Sequence, residues 1–139
     1  MIAMRYLGID PGGKRLGLAV ADDHTGVVSP LEVISYDGAA AAAQYIVEAA
    51  HRLDAHLVVV GLPTRPDGSE TAACRRSRAI AEALETLGQE VALQPELLSS
   101  REARRRARSA GLAPGRPVDH LAAQVILEDY LIERARPPR

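Results

Sequence analysis

At 139 residues, the chain is long enough to bury one core of its own, and a single domain over 1–139 is expected. It contains no Phe or Trp, and its one cysteine, Cys74, excludes an internal disulfide and a cysteine-built metal site. The early polar–apolar alternation excludes a signal peptide, and no apolar run could span a bilayer, so a soluble, cytoplasmic protein with no membrane partner is expected. The net charge of −1 conceals an asymmetry: 5 basic and 9 acidic side chains in residues 1–70, against 12 and 9 in residues 71–139. Clustered positive charge on a nearly neutral chain points to a polyanionic partner.

The periodicity of Arg5–Asp10 and Leu16–Ala21 predicts two strands joined as a hairpin through Pro11-Gly12-Gly13-Lys14-Arg15. Val27–Tyr36 has the β-branched content of a third strand, with Pro30 indicating an edge or a bend. Ala39–Leu53 carries apolar residues at helical spacing. The continuous run Leu57-Val58-Val59-Val60 predicts a strand covered on both faces, ending at Gly61-Leu62-Pro63 before a polar loop through Asp67-Gly68. A helix is predicted over Glu70–Leu87 with Gly88 as its C-cap, then a short strand over Glu90–Leu93. Helices over Ser99–Ala110 and Val118–Ala135 follow, separated by the loop 111–117, and the end at Pro137-Pro138-Arg139 is expected to fray. This order, βββαβαβα with one further helix near the end, predicts an α/β layered domain with a mixed sheet.

Asp10 is the most informative residue. A carboxylate ending a buried strand is costly unless it is paired or holds a cation, and the glycine turn beyond it lets an anionic ligand approach the backbone. Lys14 and Arg15 add positive charge at the same place. Glu96 is expected just past the strand ending at Leu93, and Asp119 at the start of the last helix. Ligands gather at the carboxyl ends of parallel strands. Three acids at such positions could ligate Mg²⁺ or Mn²⁺, and two ions about 4 Å apart suit phosphodiester cleavage. Each acid also has an ordinary explanation. Asp10 could cap its turn, Glu96 could be an exposed loop residue, and Asp119 is a good helix N-cap.

Three segments together carry a family resemblance: Gly8-Ile9-Asp10-Pro11-Gly12-Gly13-Lys14-Arg15-Leu16-Gly17-Leu18-Ala19-Val20, Val60-Gly61-Leu62-Pro63 with Asp67-Gly68, and Val118-Asp119-His120-Leu121-Ala122-Ala123. In order and spacing they resemble the YqgF/RuvX family, described as Holliday junction resolvases and as nucleases maturing the precursor of 16S ribosomal RNA. The resemblance runs over essentially the whole chain. It implies a ribonuclease H-like fold, with a mixed five-stranded sheet flanked by helices, and makes Asp10, Glu96 and Asp119 the metal-binding catalytic acids. It also implies a structured RNA, a ribosomal precursor or branched DNA as partner, with a monomer or a homodimer as the active form. One motif departs from the family pattern. Where the family usually reads Asp-Glu-Arg, this chain has Pro95-Glu96-Leu97, a loss of charge expected to weaken substrate contacts or the positioning of Glu96.

Arg101, Arg104, Arg105 and Arg108 fall at i, i+3, i+4 and i+7, one stripe of the predicted helix after Glu96. Ser99 and Glu102 form a capping box at its start. Such a stripe repels itself unless an anion is present, so it is expected to track a nucleic-acid backbone, although a solvated face is the ordinary reading of a charge run. Arg75, Arg76 and Arg78 at the start of the preceding helix are a weaker signal. With four scattered Tyr and no stacking platform, recognition is expected to rest on backbone charge and shape. Two rival functions remain at this stage. One is a non-catalytic RNA- or ribosome-precursor-binding module, motivated by Pro95 and Leu97. The other is a sugar-kinase-like phosphotransferase, for which the chain is too short to form two lobes and has no second glycine-rich phosphate segment.

Overall fold

The computed structural model describes residues 4–97 and 119–135, with the side chains of 119 and 120 outside that set. Five strands form one sheet: β1 (Arg5–Pro11), β2 (Arg15–Asp22), β3 (Val28–Ser35), β4 (Leu57–Thr64) and β5 (Val91–Leu97). Their spatial order is β3-β2-β1-β4-β5. The first three strands are antiparallel, while β4 and β5 run parallel to β1. The sheet is therefore mixed, as expected. The hairpin closes where Gly12 N–H donates to the Arg15 carbonyl at 2.8 Å. A Cβ at Gly12 would lie 2.7 Å from that same oxygen, so only glycine fits there. β3 is an edge strand, and its pairing shifts so that Leu18 faces Glu32 while Ala19 faces Pro30. Pro30 thus occupies both an edge and a bend.

Helices cover both faces. On one side α1 (Gly38–Leu53) and α2 (Ala72–Thr86) pack on a core that includes Leu7, Ile9, Val58 and Val60 from the sheet. Without large aromatics, α1 approaches closely through Ala42, Ala43, Ala49 and Ala50 around Ile46. On the other side lies the helix Asp119–Ala135, here α3, whose Ala123, Ile126 and Leu127 pack with Tyr6, Leu57 and Val59. Two sheet glycines admit it. A Cβ at Gly8 would meet Leu127 Cγ at 2.4 Å and the Ala123 carbonyl at 3.0 Å, and one at Gly61 would meet Ile126 Cδ1 at 2.3 Å. Near the start of β1, Arg134 donates to the Tyr6 hydroxyl at 2.5 Å and lies over its ring. Burial is the main cause of the raised Tyr6 pKa, and the Arg134 charge opposes it.

The helix ends follow local rules. Thr71 caps α2 by accepting from Cys74 N–H at 3.1 Å. At the other end Gly88, with φ +82°, lets Gly88 N–H reach the Glu85 carbonyl and Gln89 N–H the Leu84 carbonyl. Thr71→Ala is expected to lower stability by about 1 kcal/mol in urea unfolding without altering the slope of the transition.

Two strands are longer than the sequence suggests. β4 continues through Pro63 to Thr64, and β5 continues through Pro95 and Glu96 to Leu97. The last β1–β4 partners are Ile9 and Val60, so beyond that level β4 pairs with β5 alone. Each proline therefore sits where a strand has an open side, and an absent N–H is tolerated. No helix among the described residues is long and apolar enough to cross a membrane. The predicted helix Ser99–Ala110 and the loop 111–117 lie outside the described residues, as does the end Pro137-Pro138-Arg139.

Candidate active site

Strand alternation sorts the site. Tyr6 and Gly8 face α3, so Asp10, the next residue of the same parity, faces that side too. On β5, Pro63 pairs with Glu96 and Gly61 with Gln94, and Gly61 lies against Ile126 of α3. Gln94 and Glu96 therefore share the face that carries Asp10. Both acids are buried, Asp10 at 4% exposure and Glu96 at 5%. The expectation that Glu96 lies in a loop past its strand is corrected: it is a strand residue, held in register by β4. Thr64 reinforces that register by donating its hydroxyl to the Glu96 carbonyl at 3.2 Å.

The direction of α3 supplies the third element. Tyr130 and Arg134 lie at Tyr6, while Ala123 and Leu127 lie at Gly8. The helix thus runs opposite to β1, and its first residue, Asp119, is one turn beyond Ala123 in the direction of Asp10. The start of α3 and the carboxyl ends of β1 and β5 converge at one end of the sheet. The Asp119 side chain lies outside the described residues. Among the described residues, no three His, Cys, Asp or Glu side chains form a metal-binding group. The donor set nonetheless suits a hard cation, since two buried carboxylates on one face supply oxygen ligands that Mg²⁺ and Mn²⁺ prefer.

The departure at Pro95 and Leu97 falls on the side of β5 opposite Glu96. Both residues are exposed and alternate away from the face that buries Glu96. With these neighbours Glu96 is buried.

Beside the acids, the turn after β1 carries an open concavity of 520 Å³ lined by Gly12, Gly13, Lys14, Arg15 and Ser35. Lys14 and Arg15 are exposed on it. Tyr36 donates its hydroxyl to the Gly12 carbonyl. Its pKa is raised chiefly by burial; the Arg76 guanidinium opposes that shift and the Asp10 carboxylate adds to it. Tyr36, Arg76 and Asp10 are thus electrostatic neighbours around the turn. Tyr36 was not a candidate from sequence, and no periodic signal marks it. Gln94 was also missed, although its spacing of two residues from Glu96 on a strand could have revealed it. The proposed stripe of Arg101, Arg104, Arg105 and Arg108 lies outside the described residues.

A sheet of this order, with buried acids at the carboxyl ends of its central and edge strands and a helix start at the same end, has the ribonuclease H-like fold. The solved structures agree. T. thermophilus RuvC in complex with Holliday junction substrate superposes with a TM-score of 0.57 at 22% identity, covering 98% of this chain and 99% of that one. The large terminase nuclease from thermophilic phage G20c with bound cobalt gives 0.58 at 16% identity, covering 91% and 81%. Sequence comparison is more specific. The family model RuvX, described as Holliday junction resolvase, matches residues 4–133. The chain belongs to the RuvX family of nucleases. A protein of Anaeromyxobacter sp. (strain Fw109-5) named "Putative pre-16S rRNA nuclease" is 42% identical over 133 residues, covering 92% of this chain and 96% of that protein.

Proposed function

We propose that this protein is a divalent-metal-dependent nuclease that hydrolyses phosphodiester bonds in structured nucleic acid, with the precursor of 16S rRNA as its substrate and the cytoplasm as its place of action. The observation that carries the reading is the burial of Asp10 and Glu96 on one face of the sheet, at the end where α3 begins. Asp10, Glu96 and Asp119 would hold Mg²⁺ or Mn²⁺. When bound, such ions supply an activated water and charge stabilisation at the attacking and leaving oxygens. The chain's own contribution is rigidity: Asp10 and Glu96 are fixed by ladder pairing, so little reorganisation is needed as charge develops. Lys14 and Arg15 would meet a substrate phosphate at the turn, and Arg101, Arg104, Arg105 and Arg108 would follow the backbone further away. The relatives named as pre-16S rRNA nucleases favour RNA, while the RuvC neighbour bound to a Holliday junction makes branched DNA the comparison substrate.

The test is a side-by-side cleavage assay on precursor 16S rRNA and a four-way DNA junction, with Mg²⁺, Mn²⁺ or EDTA. Cleavage of the rRNA precursor is expected with metal, none with EDTA, and a loss on the order of 100-fold or more in Glu96→Gln. Undiminished cleavage in EDTA would overturn the assignment. Salt-sensitive binding of either substrate with no cleavage under any metal would instead favour a non-catalytic binding module.

A further inference from the structure

We propose that Arg76 and the open face of Gly13 form a phosphate-binding subsite beside the acidic centre, and that it positions the substrate backbone by gripping a phosphodiester group next to the one being cleaved. The inference rests on the nuclease reading above and adds to it a substrate contact that the family acids do not provide. Over Gly13, among the described residues beyond its chain neighbours, the one heavy atom within 4 Å of a Cβ position is an Arg76 guanidinium nitrogen, at 3.9 Å. The guanidinium therefore lies at van der Waals distance from the bare face of the turn, with no side chain of Gly13 between them. That combination suits an anion with several acceptor oxygens, since guanidinium binds phosphate through two parallel donors.

The arginines around the fold differ in how they are used. Arg78 pairs with Glu70 at 2.7 Å, and Arg5 and Arg52 each have an acid at 3.9 Å. Among the described residues, Arg76 and Lys14 form no ion pair of this kind. Arg76 is half-buried near the start of α2, where positive charge opposes the helix dipole. Its charge acts instead on Tyr36, which also feels Asp10 and is anchored to the turn through the Gly12 carbonyl. The guanidinium thus lies at Gly13, one of the residues lining the concavity that Lys14 and Arg15 flank. A polyanion bound at the turn would meet the charges of Lys14, Arg15 and Arg76 together.

The experiment measures binding without turnover, using EDTA and a short precursor rRNA stem in one arm and a four-way DNA junction in the other. Arg76→Gln is expected to weaken binding about 5- to 30-fold and to lower the slope of log affinity against log salt by about 0.7 to 0.9, one phosphate contact. Arg76→Lys should recover part of the affinity. Gly13→Val, whose side chain would cover the bare face of the turn against the guanidinium, should weaken binding similarly, and adding it to Arg76→Gln should cost little more. Arg75→Gln, one residue away and exposed, controls for general loss of charge. The thermal midpoint should be unchanged in each case. A loss in both arms identifies a phosphate common to RNA and DNA, and a loss in one arm identifies that nucleic acid as its source. Wild-type affinity for Arg76→Gln in both arms, or a loss equal to that of Arg75→Gln, overturns the subsite. Failure of the nuclease reading would show separately, as absence of metal-dependent cleavage by the wild type.

Discussion

Asp10→Asn is expected to reduce metal-dependent cleavage on the order of 1,000-fold while leaving nucleic-acid affinity in EDTA nearly unchanged. The carboxylate is buried at the end of the central strand, on the face it shares with Glu96. The amide keeps the shape but loses the charge that a hard cation requires. A loss of several kcal/mol of transition-state stabilisation corresponds to a rate effect of that size. A second measurement separates metal binding from activity. Mn²⁺ at about 100 times its Kd should stabilise the wild type by about 2.7 kcal/mol in thermal unfolding, because the ion binds only the folded chain. Asp10→Asn should show little of that gain. Equal stabilisation of the two proteins would remove Asp10 from the metal site, whatever the cleavage assay reports.

Gly8→Ala is expected to destabilise the fold by about 3 kcal/mol and to lower activity together with stability. The added methyl would lie 2.4 Å from Leu127 Cγ and 3.0 Å from the Ala123 carbonyl. One obstacle is a branch point and the other is backbone, so neither can swing aside. Over-packing of this kind costs about 1–3 kcal/mol, at the upper end where the neighbour is rigid. Relief requires α3 to lift from the sheet, which moves the helix start away from Asp10. Gly61→Ala should be milder, because its closest obstacle is the terminal methyl of Ile126, 2.3 Å away. Urea midpoints for the two variants give the ordering. Equal stability of Gly8→Ala and wild type would show that the α3 contact is looser than the geometry indicates.

Much of this architecture was legible from residue pattern because the relevant signals are local. The β1–β2 hairpin follows from two apolar runs and a glycine turn. The buried strand of Leu57–Val60 follows from a continuous aliphatic run, and the end of α2 from Gly88, whereas its N-cap at Thr71 emerged only in the structure. Glu96 was legible as an acid but not as a strand residue. Both prolines lie beyond the strand ends that the sequence suggests, and the structure shows why the strands continue: β1–β4 pairing stops at Ile9 and Val60, before Pro63, and Pro95 lies on the edge strand β5. Arg76 had little to mark it in the sequence, since its meaning depends on how α2 lies over a turn some sixty residues earlier.

The sequence by itself determined the types of the described elements through short-range periodicity, and its motifs carried the family resemblance that singled out Asp10, Glu96 and Asp119 as candidates. Tertiary structure alone decided that Asp10 and Glu96 face the same side, that α3 runs toward them, and that Pro95 and Leu97 turn away. Those relations depend on strand register and helix direction. Both are set by contacts between residues far apart in the chain, chiefly the close approach of α3 at Gly8 and Gly61 and the parallel pairing of β5 with β4.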